Sequence, residues 1–330
     1  MRVLFDGAPL EDGDALGVAT SFLTGLRAYA ALWPGECAIA LPHDAKDPRI
    51  EGLQCVEAPR GAWRRQWALP RLVAKLRADV LHSPVAAVPM LCHKPSIATV
   101  HDLPWLQAES MESRPWRTRQ AVRWSLRKAA RVIAPSRYTH AALLRLCSRA
   151  EKCIVVPHAT EPPIAPPRPP RERMGPLLIL GDDRPRKNRT RVEAAIAVAR
   201  RRDARVPEPC FAGLPYNYVE ESHKRALLAG CRALVHASLY EGFGLPVLEG
   251  LAHGIPIACS DIPPHREIAQ DTAVYADPRD VGSIADAIVR ACCDDELRDR
   301  LAAEGPIRAQ RFAPERVARA WRSLHEELAT

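Results

Sequence analysis

The chain has 330 residues and a formal net charge of +8, and 47% of its residues are apolar. This length and composition suit a globular protein with room for two domains. No stretch reaches the roughly 18 to 20 uninterrupted apolar residues of a membrane-spanning helix, and the N-terminal apolar run is too short for a signal peptide. The sequence therefore predicts a cytoplasmic protein without a helical membrane span.

The ten cysteines show neither a metal-binding nor a disulfide pattern. No two are separated by two residues, and the adjacent pair Cys292-Cys293 is a poor metal site. Others, such as Cys147, Cys210 and Cys259, fall in or beside apolar segments, where a reduced thiol packs as a small hydrophobic group. We expect reduced thiols with structural roles.

In the first half of the chain, short apolar runs alternate with helical stretches. The runs begin at Arg2, Cys37, Asp79, Ser96 and Arg131, and helices are predicted at 17–32 and 113–130. Alternation of strand and helix is typical of a parallel, doubly wound sheet.

A proline-rich segment divides the chain. Six prolines occur in residues 162–170, and they exclude a helix or a central strand there. The alternation then restarts. The second set of apolar runs begins at Leu177, Pro209, Ala233, Ile255 and Ala273, with helices predicted at 190–201, 220–230, 245–253, 282–293 and 314–328.

These patterns predict an α/β protein with two Rossmann-like domains, each built on a doubly wound parallel sheet. The predicted parts are an N-terminal domain at 1–160, a linker at 161–175, a second domain at 176–312 and a C-terminal helix at 313–330 that could cross back to the first domain. Polar residues such as Asp6, His101 and Ser238 follow the predicted strands. Ligands of such sheets bind beyond the carboxyl ends of the strands, so two facing sheets would form one cleft.

The most informative segment is Glu241-Gly-Phe-Gly-Leu-Pro-Val-Leu-Glu249. Apolar residues after Gly244 recur at helical spacing, which predicts a loop that opens onto a helix ending near Gly254. A helix N-terminus offers N–H donors and a partial positive charge to a phosphate. Glu249 could accept hydrogen bonds from ribose hydroxyls, and Glu241 from a second polyol. The pattern indicates a nucleotide-sugar site.

This segment, with His253-Gly-Ile-Pro-Ile-Ala258 after it, resembles the signature of the group 1 (family four) retaining glycosyltransferases. The resemblance implies the GT-B architecture, with an acceptor-binding first domain and a nucleotide-sugar-binding second domain. It also implies that Glu241 contacts the donor sugar and Glu249 the ribose. The N–H groups of the loop residues Phe243, Gly244 and Leu245 would bind the diphosphate.

Three further segments resemble donor-site motifs of the family. Pro185-Arg-Lys-Asn188 resembles the turn whose lysine, here Lys187, binds the diphosphate. His101, before Asp102-Leu103, matches the histidine that lies beside the sugar and its reactive carbon. Gly17 falls where a family glycine approaches the donor phosphates.

The chain departs from the family pattern at two places. Many members carry an arginine just after the strand-ending glycine, whereas this chain has Asp182, and we expect Arg184 to substitute. The segment between Gly213 and Ala233 is too short for the usual helix, strand and second helix, since a parallel crossover alone needs about a dozen residues. The sequence therefore predicts a trimmed second domain with an altered or weakened base pocket.

Two basic segments of the first half also contain tryptophan. Residues 113–131 hold seven Arg or Lys and two Trp without an acid, and a second segment begins at Trp63. Such segments suit an anionic membrane surface, where each cation contributes about 1 kcal/mol, although a solvated helix face or a nucleic-acid site has a similar pattern. The residues expected to face a membrane are Trp63, Arg64, Arg65, Trp67, Trp116, Arg117, Arg123 and Trp124.

These features predict a retaining, metal-independent hexosyltransferase without a cofactor. It would move a sugar from a nucleoside diphosphate sugar to a hydroxyl group of a glycan or lipid-linked acceptor, in bacterial surface polysaccharide or lipopolysaccharide assembly at the inner face of the membrane. Lys187 and the loop N–H groups would stabilise the leaving diphosphate, while His101 and Glu241 hold the sugar. Asp12-Gly-Asp14 has the spacing of a metal motif but lies away from the donor segment.

Other classes of protein remain as alternatives. The short 213–233 segment and Asp182 would also fit a catalytically silent GT-B scaffold or binding subunit. A dinucleotide oxidoreductase is discounted because no Gly-x-Gly-x-x-Gly follows a predicted strand. Nucleic acid is not expected as a partner, because the two-carboxylate motif lies in the other half of the chain from the basic segments.

Overall fold

The structure is a computed structural model that describes residues 1–11, 16–110, 112–113, 115–147, 149–213 and 220–329. The Asp12-Gly-Asp14 motif and part of the short 213–233 segment lie outside these residues. The chain divides into two compact units. The first comprises 1–103, 114–159 and 312–330, and the second comprises 104–113 and 160–311.

The first unit contains a seven-stranded parallel sheet. In chain order its strands are β1 (Val3–Asp6), β2 (Cys37–Pro42), β3 (Leu53–Ala58), β4 (Val80–Ser83), β5 (Ser96–Thr99), β6 (Arg131–Ala134) and β7 (Cys153–Val155). The spatial order is β3-β2-β1-β4-β5-β6-β7. The order reverses between β1 and β4, which is where doubly wound sheets bind ligands.

Helices cover both faces of this sheet. They are α1 (Leu16–Leu32), α2 (Gly61–Trp63), a π-helical turn (Arg64–Ala68), α3 (Leu69–Lys75), α4 (Trp116–Lys128), α5 (Arg137–Leu144) and the last helix of the chain, α12 (Pro314–Ala329). Short 3₁₀ helices occur at Ala8–Leu10 and Ala150–Lys152.

The second unit contains a five-stranded parallel sheet. Its strands are β8 (Leu177–Leu180), β9 (Pro209–Ala212), β10 (Ala233–His236), β11 (Ile257–Ser260) and β12 (Val274–Ala276), in the spatial order β12-β11-β10-β8-β9. Runs such as Leu177-Leu-Ile-Leu180 are almost continuously apolar because parallel strands are covered on both faces. The order reverses between β8 and β10, so the carboxyl ends of these two strands mark the expected ligand site.

The helices of the second unit are α6 (Arg189–Arg202), α7 (Glu221–Gly230), α8 (Leu245–Ala252), α9 (Pro263–Ala269), α10 (Val281–Cys293) and α11 (Asp295–Ala309). Short 3₁₀ helices lie at Pro104–Leu106, Ala108–Ser110, Pro170–Glu172, Pro185–Lys187 and Gln310–Phe312, the last at the boundary with the first unit. Between β9 and β10 the described residues form one helix, α7, and no strand.

The proline-rich segment packs against the second unit rather than standing free. Arg173 is fully buried, and its guanidinium donates to the carbonyls of Leu228 and Ala229 at 3.1 and 3.3 Å. It also donates to the carbonyl of His253. The contacts therefore assign residues 160–175 to the second unit.

The C-terminal helix α12 packs against the sheet of the first unit. Trp321 lies 6.3 Å from the ring of Phe22 and 5.9 Å from that of Phe5. A Cβ atom on Gly25 of α1 would lie only 2.6 Å from the indole, so the missing side chain allows the helices to approach. The two expected parallel-sheet domains are confirmed, and α12 joins the first of them.

Candidate nucleotide-sugar site

Glu241 lies in a buried cluster at the carboxyl end of β10. Its Oε1 accepts from Nζ of Lys187 at 2.7 Å and lies 3.0 Å from Nε2 of His236. Its Oε2 lies 3.5 Å from the guanidinium of Arg186. The side chain of Glu241 is 8% exposed and that of Lys187 is 13% exposed. The structure therefore brings together two residues that the sequence assigned to one site.

Electrostatics keep Glu241 ionised despite its burial. Burial alone raises the pKa of its carboxyl, but Lys187, His236 and Arg186 together hold this pKa well below the usual value. Burial also lowers the pKa of His236, so its imidazole is neutral and its Nε2–H donates to Glu241. Both oxygens of Glu241 thus face cationic or donor groups.

The turn before α6 holds Lys187 in place. Asn188 adopts a left-handed conformation with φ +59°, and its side-chain amide donates to the carbonyls of Ala237 and Pro278 at 3.0 and 2.6 Å. Arg186, in the same turn, is buried and lies 2.9 Å from Oε1 of Glu112. The turn is therefore anchored to the end of β10 and to the 104–113 segment.

A glycine-bearing loop leads from Glu241 into α8. Gly244 caps the helix with φ +116°, a conformation that favours glycine, and a Cβ there would lie 2.9 Å from Cδ2 of His265. Phe243 is buried, and Leu245 is the first residue of α8. Pro246 has no N–H, and the N–H groups of Val247 and Leu248 donate to the carbonyl of Gly244, so α8 can offer an anion the N–H of Leu245 and the positive end of the helix dipole.

Glu249, on the second turn of α8, is paired with a residue of α7. Its Oε1 accepts from Nζ of Lys224 at 2.8 Å, and the side chain is 15% exposed. Burial raises the pKa of the Glu249 carboxyl, while Lys224 opposes this effect. The predicted ribose-binding carboxylate thus already has a cationic partner.

The remaining predicted donor residues occupy less buried positions. Arg184 is exposed and forms an ion pair with Asp182, with Nε of Arg184 2.8 Å from Oδ2 of Asp182. Lys187, Asp182 and His236 line one open pocket at the ends of β8 and β10. Gly17 is exposed in the first turn of α1, in the first unit.

His101 lies in the first unit, after β5, with both ring nitrogens occupied. Its Nε2 lies 2.7 Å from the carbonyl of Pro84, and its Nδ1 lies 3.2 Å from Nε2 of His158. Because a carbonyl only accepts, Nε2 of His101 carries the proton and Nδ1 accepts from His158. The predicted contact of His101 with a donor sugar stays a prediction.

The basic segments of the first unit are partly exposed. Trp63, Trp67 and Trp116 are exposed by 69, 49 and 68%, and Trp63 stacks on Trp67 at 6.2 Å. Arg117 and Arg123 are exposed, whereas Arg65 and Trp124 are half-buried. In the described ranges, no helix is both long enough and apolar enough to cross a bilayer.

The prediction that Arg64 faces a membrane is wrong. Arg64 is fully buried, with Nε 3.1 Å from Oδ1 of Asp6 and NH2 3.1 Å from Oε2 of Glu11. It begins the π-helical turn, which directs it toward the end of β1 while Trp63 and Trp67 stay outside. The alternation of Arg and Trp in the sequence does not show which side chains point into the unit and which point to solvent.

Four partners of the predicted residues were not themselves predicted as site residues: Arg186, His236 and Glu112 in the cluster around Glu241, and Lys224 beside Glu249. His236 ends a predicted strand, which is the signal that could have identified it. Glu112 and Lys224 are distant in sequence from their partners and match no motif, so only the fold brings them into contact. The described part of the chain contains no group of three or more His, Cys, Asp or Glu arranged to hold a metal ion.

Two models of glycosyltransferase families match parts of this chain. The model of the glycosyltransferase family 4 matches residues 29–162, and that of the glycosyl transferases group 1 matches residues 215–308. The O-antigen chain mannosyltransferase B of Escherichia coli is 38% identical over 96 residues, which cover 29% of this chain and 25% of that protein. The O-antigen chain mannosyltransferase RfbU of Salmonella typhimurium is 39% identical over 64 residues, or 19% of this chain and 18% of that protein.

Among solved structures, Anabaena Alr3699/HepE in complex with UDP and glucose superposes with a TM-score of 0.72. It is 17% identical and covers 99% of this chain and 100% of that one, a likeness that shows the fold. The curated relatives, in contrast, are matched over a quarter of their length or less. Two family models on consecutive parts of the chain, together with this fold, show that the chain belongs to the group 1 glycosyltransferases of the GT-B fold.

Proposed function

We propose that the protein is a retaining glycosyltransferase that uses a nucleoside diphosphate sugar as donor. The observation that carries this proposal is the contact of Lys187 with Glu241 beside the N-terminus of α8. A cation, a helix N-terminus and a sugar-binding carboxylate are the groups that a diphosphate joined to a sugar requires.

Lys187 can change partners when a donor binds. Its ammonium is bound to Glu241 at 2.7 Å, but it is partly exposed at the end of a flexible side chain. A diphosphate carries more negative charge than one carboxylate, so Lys187 would turn to the phosphate oxygens. It would there stabilise the negative charge that develops as the diphosphate leaves the sugar. Glu241 would retain His236 and Arg186 and accept a hydroxyl of the sugar.

The environment of Glu241 favours retention of the anomeric configuration without a covalent enzyme intermediate. Its oxygens face Lys187, His236 and Arg186, and a carboxylate so stabilised is a weak nucleophile. We therefore propose attack of the acceptor on the face that the diphosphate leaves. The anomeric configuration of the product, read by NMR, tests this, and an inverted product would contradict it.

The curated relatives suggest the sugar and the pathway. Two of them are described as O-antigen chain mannosyltransferases. We propose a mannosyl donor and a glycan or lipid-linked acceptor of a bacterial surface polysaccharide.

Contact with an anionic membrane is also proposed for the first unit. Met90 and Leu91 are exposed by 52 and 67%, and the N–H of Met90 donates to Oε1 of Gln66 at 2.9 Å, close to Trp63 and Trp67. Flotation with phosphatidylglycerol vesicles at low salt tests this. Binding should weaken in a Trp63→Ala/Trp67→Ala variant and at high salt, and absence of binding by the wild type removes the proposal.

The first experiment is thermal unfolding with millimolar UDP, GDP, dTDP and ADP in turn. A ligand at about 100 times its Kd stabilises by about 2.7 kcal/mol, so the correct nucleotide should raise the Tm by a few degrees. Lys187→Ala should abolish this shift. No shift with any nucleotide would favour the alternative of a silent scaffold subunit.

Transfer is then measured with the matching sugar nucleotide, GDP-mannose first. We propose a metal-independent reaction, because Lys187 and the N-terminus of α8 supply the positive charge that a metal would otherwise provide. Activity should therefore persist in excess chelator, and its loss there with recovery on adding a divalent ion would contradict this part of the proposal.

A further inference from the structure

Helix α7 places a lysine against the carboxylate of Glu249. Nζ of Lys224 lies 2.8 Å from Oε1 of Glu249 and 3.0 Å from Oε2 of Glu221. The Lys224 side chain is 17% exposed, so the pair is largely shielded from water. Helix α7 lies in the short segment between β9 and β10, so this lysine comes from the part of the chain that departs from the family pattern.

The other charged groups near Glu249 have partners of their own. Arg225, the next residue of α7, forms ion pairs with Glu161 and Glu221. His253, the residue that caps the C-terminus of α8, binds the backbone carbonyl of Glu249 through Nδ1 at 2.9 Å. Among the described residues, Lys224 is the one cation bonded to the Glu249 carboxylate.

We propose that Lys224 is a positioning residue of the nucleotide site, which keeps Glu249 ionised and oriented to accept the two hydroxyl groups of a ribose. This inference rests on the proposed function. An ionised carboxylate only accepts hydrogen bonds, whereas a protonated one carries a donor that competes with a diol. Lys224 binds Oε1 of Glu249, and Oε2 is the oxygen that we assign to the ribose.

The charge balance supports this role. Burial raises the pKa of Glu249, and the neighbouring Lys224 is the largest opposing influence. Burial lowers the pKa of Lys224, but Glu249 and Glu221 outweigh this and raise it, so the ammonium stays charged at neutral pH. Without the ammonium, Glu249 would be a buried acid that takes up a proton at higher pH.

The test compares wild type with Lys224→Met, Lys224→Arg and Arg225→Met. Kd is measured by calorimetry for the nucleoside diphosphate among UDP, GDP and ADP that gives the largest Tm shift, between about pH 6 and pH 8.5. The ratio of mutant to wild-type Kd cancels the titration of the ligand itself. For Lys224→Met the Kd should be about tenfold or more above that of wild type near pH 6. The ratio should fall toward one as pH rises, because Glu249 then becomes ionised without its lysine.

The two other variants are matched controls. Lys224→Arg keeps a cation beside Glu249 and should stay within about threefold of wild type. Arg225→Met removes one positive charge from the same helix but no bond to Glu249. Arg225 lowers the pKa of the Glu249 carboxyl less than Lys224 does, so its ratio should vary with pH less than that of Lys224→Met. A Lys224→Met ratio that is close to one, or that is constant across the pH range, overturns the proposal.

A comparison of Glu249→Gln with Glu249→Gln/Lys224→Met keeps the test decisive if Lys224→Met alone does not fold. If Lys224 acts through the carboxylate, Lys224→Met should not weaken binding further in the Glu249→Gln background, where no buried charge is left unpaired. Weaker nucleotide binding by the double variant than by Glu249→Gln would overturn the inference. Failure of the wild type to bind any nucleotide would instead contradict the proposed function.

Discussion

If the proposed function is correct, neutralisation of Glu241 should separate nucleotide binding from sugar transfer. Glu241→Gln keeps the shape of the side chain but frees Lys187 and Arg186 from a negative partner. Lys187 can then bind a diphosphate without first leaving a carboxylate. We expect the Kd for the nucleoside diphosphate to be unchanged or lower, while transfer falls by about tenfold or more because the proposed contact with the sugar is lost.

Calorimetry with the nucleotide and single-turnover transfer with the sugar nucleotide measure the two effects separately. Glu193→Gln, which removes a half-exposed carboxylate paired with Arg189, is the control and should alter neither. A large rise in Kd with intact turnover would assign Glu241 to nucleotide binding instead.

Arg64 is the residue whose direction the sequence predicted wrongly, and its burial has a measurable consequence. Arg64→Met preserves bulk but leaves Asp6, which is fully buried, without its cation. Removal of one partner of a buried ion pair costs about 3–5 kcal/mol. Burial already raises the pKa of Asp6 despite Arg64, so the variant should lose less stability at lower pH, where Asp6 is protonated.

Urea unfolding at pH 7 and pH 5 measures this loss. Arg117→Met, on the exposed face of α4, should change the free energy of unfolding by less than about 0.5 kcal/mol. A loss below about 1 kcal/mol for Arg64→Met at pH 7 would mean that Asp6 finds another partner or water.

Motifs predicted three residues of the candidate site, but neither their partners nor the contacts among them. Glu241, Lys187 and Glu249 were predicted from local patterns, because a strand end, a turn and a helix start each have a sequence signature. Their partners Glu112 and Lys224 are on other elements, and no local pattern encodes a contact made by the tertiary fold.

At the scale of elements, the strongly apolar strands and the periodic helices were predictable, and the rest were not. All five strands of the second sheet were expected from apolar runs. In the first sheet, neither β3 nor β7 gives a clear apolar signal. The sequence of β3 is interrupted by the polar residues Gln54 and Glu57, and β7 has only three residues. Helix α11 contains Gly305-Pro306, which in a sequence indicates a break rather than a continuing helix.

Trp321 is the largest apolar side chain that helix α12 packs into the core of the first unit. Trp321 is 8% exposed and packs on Phe5, Phe22 and the space left by Gly25. Trp321→Ala should lower the free energy of unfolding by about 3–5 kcal/mol, because a buried tryptophan leaves a cavity that rigid neighbours cannot fill. Denaturant unfolding measures this, with the exposed Arg319→Ala as control.

Hydrogen exchange gives the second measurement for α12. Amides of 314–329 should exchange faster in Trp321→Ala than in wild type, since the helix loses its main contact with the sheet. Unchanged protection, with stability lost elsewhere, would show that the helix is held by other contacts such as Val317 and Leu324.

Across the whole molecule, both units contain buried neutral histidines. His82 in the first unit and His265 in the second are fully buried, and burial lowers the pKa of each to about 3. His325, bonded to His82 at 3.0 Å, also has a pKa well below the usual value, as burial and His82 disfavour its charged form. In the unfolded chain these groups titrate near pH 6.5.

This difference makes the stability of both units depend on pH in the same direction. Above about pH 6.5 the histidines are neutral in both states, and their stabilising contribution is complete. As pH falls toward 3, these histidines become protonated in the unfolded chain but stay neutral in the native state. The free energy of unfolding therefore falls by roughly 1.4 kcal/mol for each histidine and each pH unit. The raised pKa values of Asp6 and Glu249 act in the opposite direction but involve fewer groups.

We therefore expect the free energy of unfolding to fall steeply between about pH 6.5 and pH 4.5. Denaturant unfolding across this range measures the slope, and His265→Leu is the decisive variant. Leucine fills a similar space beside Gly244 but cannot titrate, so the slope should fall by about one proton while stability near pH 5 rises relative to wild type. An unchanged slope would mean that His265 takes up its proton in the native state, which requires that its Nε2 reaches an acceptor or water.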